Sequence, residues 1–184
     1  MQLKKIVVLG PESTGKSTLC QQLAGHYNTT WVPEFARHYL QTNGIAYTLS
    51  DLSLIAQGQL QSEDEVIGRI EKKFPKNKPG FQPVFIDTDM YVMKVWSEFA
   101  FNACDNKILN AIANRTYHLY LLCNPDLPWQ KDNLREYPDL QTREKLYHYY
   151  KDVLLNQPLP FVEIKGKYQE RLHIAINAVD ANMQ

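Results

Sequence analysis

The sequence predicts an α/β fold: a five-stranded parallel sheet with helices on both faces. Three observations predict it. Continuous apolar runs, the pattern of strands buried on both faces, recur along the chain. Stretches with helical spacing separate them, which is the order that parallel strands with crossover helices require. The first apolar run ends in a glycine-rich loop, GPESTGKST from Gly10 to Thr18, directly before a helical stretch.

The elements follow in chain order. KKIVVLG, ending at Gly10, is a buried parallel strand. After the loop, Leu19, Cys20, Leu23, Ala24 and Tyr27 share one helical face. TTWVP is the second strand, ended by Pro33 and expected beside the first. Ser50 is the expected N-cap of a long helix whose face runs through Leu52, Ile55, Ala56, Gln59, Leu60, Val66, Ile67 and Ile70. FPKNKPGFQP is a loop rich in Pro and Gly. PVFID is the third strand and YVMKVWSEFAF the helix after it. TYHLYLLC and FVEI are the fourth and fifth strands, with a helix through Leu146, Tyr149 and Val153 between them. Tyr168 to Val179 closes the chain as a helix. No shift in composition marks a boundary, so residues 1–184 read as one domain.

Composition narrows the class. The 184 residues are 44% hydrophobic and 22% charged, as in an ordinary globular protein. Lys plus Arg and Asp plus Glu both number 20, so the chain lacks the basic footprint of a nucleic-acid or anionic-membrane binder. Cys20, Cys104 and Cys123 are scattered, and His26, His38, His118, His148 and His173 have no metal-ligand spacing. Reduced thiols in the cytoplasm are the expectation. No apolar run is long enough to span a bilayer.

The loop Gly10-x-x-x-x-Gly15-Lys16-Ser17 sits between a strand and a helix, the context a P-loop needs. Gly10, Ser13, Thr14, Gly15, Lys16, Ser17 and Thr18 are therefore the expected nucleotide-binding residues. Backbone N–H groups and the positive helix end hold phosphate oxygens. Lys16 reaches the β and γ phosphates, and the Ser17 hydroxyl helps hold Mg²⁺. ATP and Mg²⁺ are the expected cofactors. A GTPase would carry a guanine-reading Asn-Lys-x-Asp, but Asn77 to Gly80 reads NKPG. DTDM lacks the Gly of Asp-x-x-Gly, and AQGQ around Gly58 is a poor transporter signature. The chain is short for a motor ATPase, and a compact small-molecule kinase remains.

Glu12 is out of place in a phosphate cradle. Two positions after Gly10, its side chain is expected to project away from the phosphates toward an acceptor. Thymidylate-kinase-like enzymes have an acid at the matching position, where it touches the acceptor sugar.

GPESTGKSTL, VPEFARHYL, FIDTD and NPDLPWQKDNLR occur in this order. Together they resemble the ribosylnicotinamide kinase domain of NadR proteins and its stand-alone P-loop relatives, over nearly the whole chain. The resemblance implies a P-loop nucleoside-kinase-like three-layer fold with a short lid. Full NadR proteins also carry an adenylyltransferase domain and often a helix-turn-helix, to which nothing in these motifs corresponds. By the resemblance, Asp87 holds Mg²⁺ and its waters or activates the acceptor hydroxyl, with Asp89 second or an N-cap. Glu34 receives the acceptor proton, and Arg37 meets Glu12 or a transferring phosphate. The lid is expected at about residues 124–143, with Arg135 and Arg143 supplying cations to the transferred group and Asp132 orienting Arg135. Trp129 anchors the lid or faces the substrate. Gly166 and Tyr168 pass the adenine ring.

The acceptor is expected to be a small nucleoside. Nicotinamide riboside has a flat cationic ring that calls for aromatic faces. Trp31, Phe35, Tyr39, Tyr47 and Trp129 are candidates, while Pro33 stands where some relatives carry an aromatic residue. Trp96 and Phe99 are expected in the core, and Tyr147, Tyr149 and Tyr150 in helix surface and packing. Two alternatives stay open: another nucleoside as acceptor, or an ATP-binding regulatory module whose partner is a protein.

Overall fold

The computed structural model describes residues 2–73 and 80–182. Its strands are β1 (Gln2–Leu9), β2 (Trp31–Val32), β3 (Phe81–Asp87), β4 (Leu119–Cys123) and β5 (Phe161–Ile164). They form one sheet in the order β2-β3-β1-β4-β5, and every pairing is parallel. The helices are α1 (Lys16–His26), α2 (Phe35–Asn43), α3 (Leu49–Lys73), α4 (Met90–Phe101), α5 (Asn106–Asn114), α6 (Leu140–Leu155) and α7 (Tyr168–Asn182). The α/β class and the five parallel strands agree with the sequence reading.

Strand alternation divides the core in two. Ile6 and Val8 of β1 pack toward α1 and α7, with Leu19, Leu23, Ala175 and Val179. Val7 and Leu9 point the other way, toward α3, α4 and α6, with Val66, Val92, Val95 and Leu146. All four β1 side chains have no exposure. A side chain of this kind contributes about 1.5–3 kcal/mol by leaving water. The result is three layers, helix on sheet on helix.

Several expectations change. The second strand is not beside the first: β2 is an edge strand that pairs only with β3, Trp31 opposite Phe85. The third strand starts earlier, at Phe81, because Gln82 and Pro83 still pair with Leu3 and Lys4. Residues 74–79 of the Pro- and Gly-rich loop, Asn77 and Lys78 among them, lie outside the described residues. Thr48, not Ser50, caps α3. Its hydroxyl and backbone N–H donate to Asp51 Oδ2 at 2.6 and 2.8 Å, and Asp51 N–H donates back to the hydroxyl at 3.3 Å, a reciprocal capping box. Helix α5 was not expected. It is short, buries only Ile108 fully, and is capped by Asp105, which accepts from Lys107 N–H. Helix α6 is rotated from its expected face: Tyr147, Tyr150 and Leu154 are buried with Leu146, and Tyr149 is exposed. The segment joining β4 to α6, residues 124–139, holds neither helix nor strand. The last four residues of the expected lid belong to α6.

Helix α3 is locked onto the sheet by a buried acid. Glu63, 1% exposed, accepts from Lys5 Nζ and the Tyr117 hydroxyl and pairs with Arg115. A buried carboxylate needs such partners. The lock also orients Gln59, one turn earlier, toward the end of β3.

Candidate active site

The P-loop leaves β1 at the carboxyl edge of the sheet, where the chain direction of the crossovers reverses. Gly10 has φ 139°, and a Cβ there would stand 2.6 Å from the Cys123 carbonyl oxygen, so the turn requires glycine. Gly15, at φ 78°, starts α1. The Thr14 hydroxyl and Lys16 Nζ both donate to the Pro11 carbonyl, at 2.8 and 2.9 Å, which curls the loop around its own centre.

Ser17 donates to Asp87 Oδ2 at 2.5 Å. Asp87 is fully buried at the end of β3, and its Oδ1 has no hydrogen-bond partner. Burial, then the charge of Glu34, push its carboxyl up to about 7, against Lys16 and the Ser17 hydroxyl. Next to it, Thr88 adopts φ 78°, a costly position for a β-branched residue, of order 1–3 kcal/mol. This turn sends Asp89 into α4 rather than into the cavity. Asp89 accepts from Tyr91 and Val92 N–H at 3.1 and 3.3 Å and is the N-cap. Of the two readings of Asp89, the N-cap is the one observed: it is 1% exposed and committed to the helix, so it does not reach a metal or a substrate in the cavity.

Glu34 is the N-cap residue of α2, without a side-chain cap bond, and half-buried. Its position follows from Gln59, which the sequence reading placed only in a helical face. Gln59 Oε1 accepts from Phe35 N–H at 2.7 Å, and Nε2 donates to the Asp87 carbonyl at 3.2 Å. One buried side chain thus holds the start of α2 against the end of β3. The neighbouring Gly58 makes room for Phe35: a Cβ there would lie 2.2 Å from the ring.

A single cavity of about 210 Å³ opens over the P-loop. Gly10, Glu12, Ser13, Thr14, Gly15, Lys16, Ser17, Thr18, Glu34, Arg37 and Arg135 line it, eleven of the expected site residues. Asp87 lies directly behind Ser17. The far wall is aromatic, but not with the expected rings. Trp96 and Phe99 of α4, Tyr137, and Tyr150 of α6 line it; Trp96 and Phe99 pack against the core as expected and also present a face to the cavity. Tyr47 supports Trp96 from behind, accepting its indole N–H at 2.8 Å. Trp31 packs under the opposite face of the sheet, and Phe35 and Tyr39 pack around α2 and α3.

The strap from Trp129 to Tyr137 closes the cavity. Glu12 Oε1 accepts from Trp129 Nε1–H at 3.1 Å and Tyr137 N–H at 2.8 Å; Oε2 accepts from Glu136 N–H at 2.9 Å. Trp129 is thus an anchor and is not among the cavity-lining residues. Arg37 pairs with Asp132 at 3.0 Å rather than with Glu12, and Asp132 meets Arg135 through its backbone carbonyl, which accepts from Arg135 N–H at 3.1 Å, and through charge without an ion-pair contact. Arg135 donates to the Gln130 carbonyl. Arg143 does not face the cavity: it is 4% exposed on the inner side of α6 and donates to the Leu127 carbonyl at 3.5 Å. Gly166, at φ 87°, and Tyr168 lie at the other end of the P-loop, where the Tyr168 ring approaches Gly15. There Arg171, absent from the sequence reading, donates to the carbonyls of Thr14, Asn124 and Gly166 and pairs with Asp126. Nothing in its local sequence signals that role.

A family model described as an AAA domain matches residues 5–171. The chain belongs to the AAA domain family. This AAA domain is 27% identical over 168 residues to the trifunctional NAD biosynthesis/regulator protein NadR of Escherichia coli (strain K12). The match covers 89% of this chain and 38% of NadR, so the chain spans well under half of that relative. A NadR protein solved in complex with NR superposes with TM-score 0.78 at 25% identity, over 98% of this chain and 49% of that one. Thymidylate kinase from Ehrlichia chaffeensis superposes with TM-score 0.66 at 10% identity, over 98% and 99%. The fold is therefore P-loop nucleoside-kinase-like, and the resemblance to NadR is shown.

The donor set fits one Mg²⁺. A hydroxyl and a buried carboxylate with an unpartnered oxygen stand together, and the described residues hold no denser group of acids or histidines. That sparse set suits an ion completed by phosphates and water. No helix among the described residues is long and apolar enough to cross a membrane.

Proposed function

We propose that this protein transfers the γ-phosphoryl group of ATP to the 5′-hydroxyl of nicotinamide riboside, giving nicotinamide mononucleotide. The observation that carries the reading is the cavity itself. One space joins a P-loop to a wall of four aromatic rings set among the carboxylates Glu12, Glu34 and Glu136. A flat cationic ring matches such a wall, through its faces and its charge. The likeness to NadR in complex with NR supports the same choice.

The roles follow from position. Lys16 swings from the Pro11 carbonyl to the β and γ phosphates. Ser17 and Asp87 would hold Mg²⁺, which when bound neutralises charge on those phosphates. Glu34, which lines the same cavity as the P-loop and the aromatic wall, takes the proton of the attacking hydroxyl. Arg135 approaches from the strap to meet charge growing on the transferred group. Residues 124–139 serve as the lid, excluding water. Such transfer depends on positioning and charge stabilisation, which these residues supply.

The test is ADP release from ATP·Mg²⁺ across a panel of nucleosides that includes nicotinamide riboside. Nicotinamide riboside should stimulate release most. If a deoxynucleoside or another riboside dominates, the kinase stands with a different acceptor. If none stimulates release while ATP still binds, the protein is a regulatory ATP-binding module.

A further inference from the structure

We infer that Glu12 is a positioning residue: it docks the strap on the P-loop and thereby places Tyr137 and Glu136 in the acceptor wall. The carboxylate takes three N–H groups, two of them the consecutive backbone amides of Glu136 and Tyr137. Two adjacent amides held on one carboxylate fix the strap in both position and direction. The side chains of these residues then line the cavity. Tyr137 meets Phe99 edge-on, with centroids 5.5 Å apart, and Glu136 accepts from the Tyr47 hydroxyl at 2.9 Å.

The docking has a second point beside the first. Ser13 Oγ accepts from Gln130 N–H at 3.0 Å. The strap is thus tied to two successive P-loop residues near Trp129–Gln130 and again at Glu136–Tyr137. Between these ties the chain carries Arg135. The remaining link to α2, Arg37 with Asp132, is partly exposed, and exposed ion pairs contribute little. Glu12 takes three N–H groups of the strap, two of them backbone amides, where Ser13 and Arg37 each supply one link, so Glu12 dominates the docking.

This arrangement accounts for an acid inside a phosphate cradle. The charge of Glu12 is turned toward the strap and answered there by three N–H dipoles. Three of its roughly four acceptor sites are held by the strap, so its effect on the acceptor passes mainly through the placement of Tyr137 and Glu136.

The experiment compares wild type with Glu12→Gln and Trp129→Phe. Limited trypsin digestion reads the strap directly, because Lys131 and Arg135 lie between its ties. A carboxamide turns one acceptor oxygen into a donor that faces an N–H. Cleavage after these residues should rise about tenfold in Glu12→Gln, with a nearly unchanged thermal midpoint. Trp129→Phe, which loses one of three donors, should give a smaller rise. In steady-state kinetics with ATP and the acceptor, Glu12→Gln should raise the acceptor KM at least about tenfold and the ATP KM less than about threefold. Wild-type cleavage rates in both variants overturn the proposal, as does an ATP KM that rises as much as the acceptor KM. The kinetic arm rests on the kinase reading and the digestion arm does not. Faster cleavage without nucleoside-stimulated ADP release in wild type would uphold the docking and reject the kinase.

Discussion

Asp87 sits in an environment that opposes its charge. Burial and Glu34 raise its carboxyl from the ordinary 3.8 to about 7. A group raised on folding adds stability that is fully present below its unfolded value and lost as pH climbs through the folded one. Between about pH 4 and pH 7, ionising Asp87 therefore costs stability, and above that the whole penalty is present. Asp87→Asn should raise the thermal midpoint at pH 8, by about 2–4 °C for each 1 kcal/mol relieved, and change it little at pH 4. Asp89, also raised to about 7 by burial, remains, so some pH dependence persists. Turnover should fall at least about a hundredfold in the same variant, because a preorganised group is gone. Thermal scans across pH, together with ADP release, check both halves. The identity of this acid was legible: an apolar run ending in Asp, after a P-loop, is a local pattern. The partners of Glu12 were not. They lie more than a hundred residues away, and no spacing rule connects Glu12 with Trp129 or Tyr137.

Within α3, two glycines make opposite demands. Around Gly68 a Cβ would meet nothing within 4 Å, whereas at Gly58 it would enter the Phe35 ring. Glycine inside a helix costs about 0.5–1 kcal/mol relative to alanine. Gly68→Ala should therefore stabilise by about that amount. Gly58→Ala should instead destabilise by about 1–3 kcal/mol, because the ring and the start of α2 must shift. That shift moves Glu34 relative to Asp87, so activity should fall as well. Urea unfolding of the pair checks the signs, and equal stabilisation by both would show that Phe35 yields freely. Periodicity made α3 legible, since Leu52, Ile55, Ala56 and Ile70 are all buried as read. It could not reveal that Gly58 and Gln59 serve another element. The cap was misread because Ser50 fits the composition of a cap, while the reciprocal pair Thr48–Asp51 decides the geometry. Helix α5 buries too little of its surface to leave a periodic trace.

For the whole molecule, the site is a consequence of strand order. Parallel strands deliver Gly10, Asp87, Asn124 and Gly166 to one edge of the sheet, and β1 at the centre places the P-loop among them. The parallel sheet was legible from alternating runs, but the order was not. Parallel neighbours are joined through long crossovers and leave no local signal, so β2 was placed beside β1 instead of β3. This division predicts where ligands act. β1 is bonded on both sides, and its residues Ile6–Leu9 are fully buried, so its amides should exchange with solvent only by global opening. The strap is held by a few side-chain bonds to the P-loop and α2, so it should open far more easily. Adding ATP·Mg²⁺ should slow exchange in residues 10–18. Adding nicotinamide riboside as well, with a non-hydrolysable ATP analogue, should slow residues 129–137 and the start of α2. Amides of β1 should slow only as far as ligand binding raises global stability. Hydrogen exchange read peptide by peptide checks this order. Protection of the strap by nucleotide alone, with no further change on adding the riboside, would detach the strap from acceptor binding and leave it a cover for the phosphates.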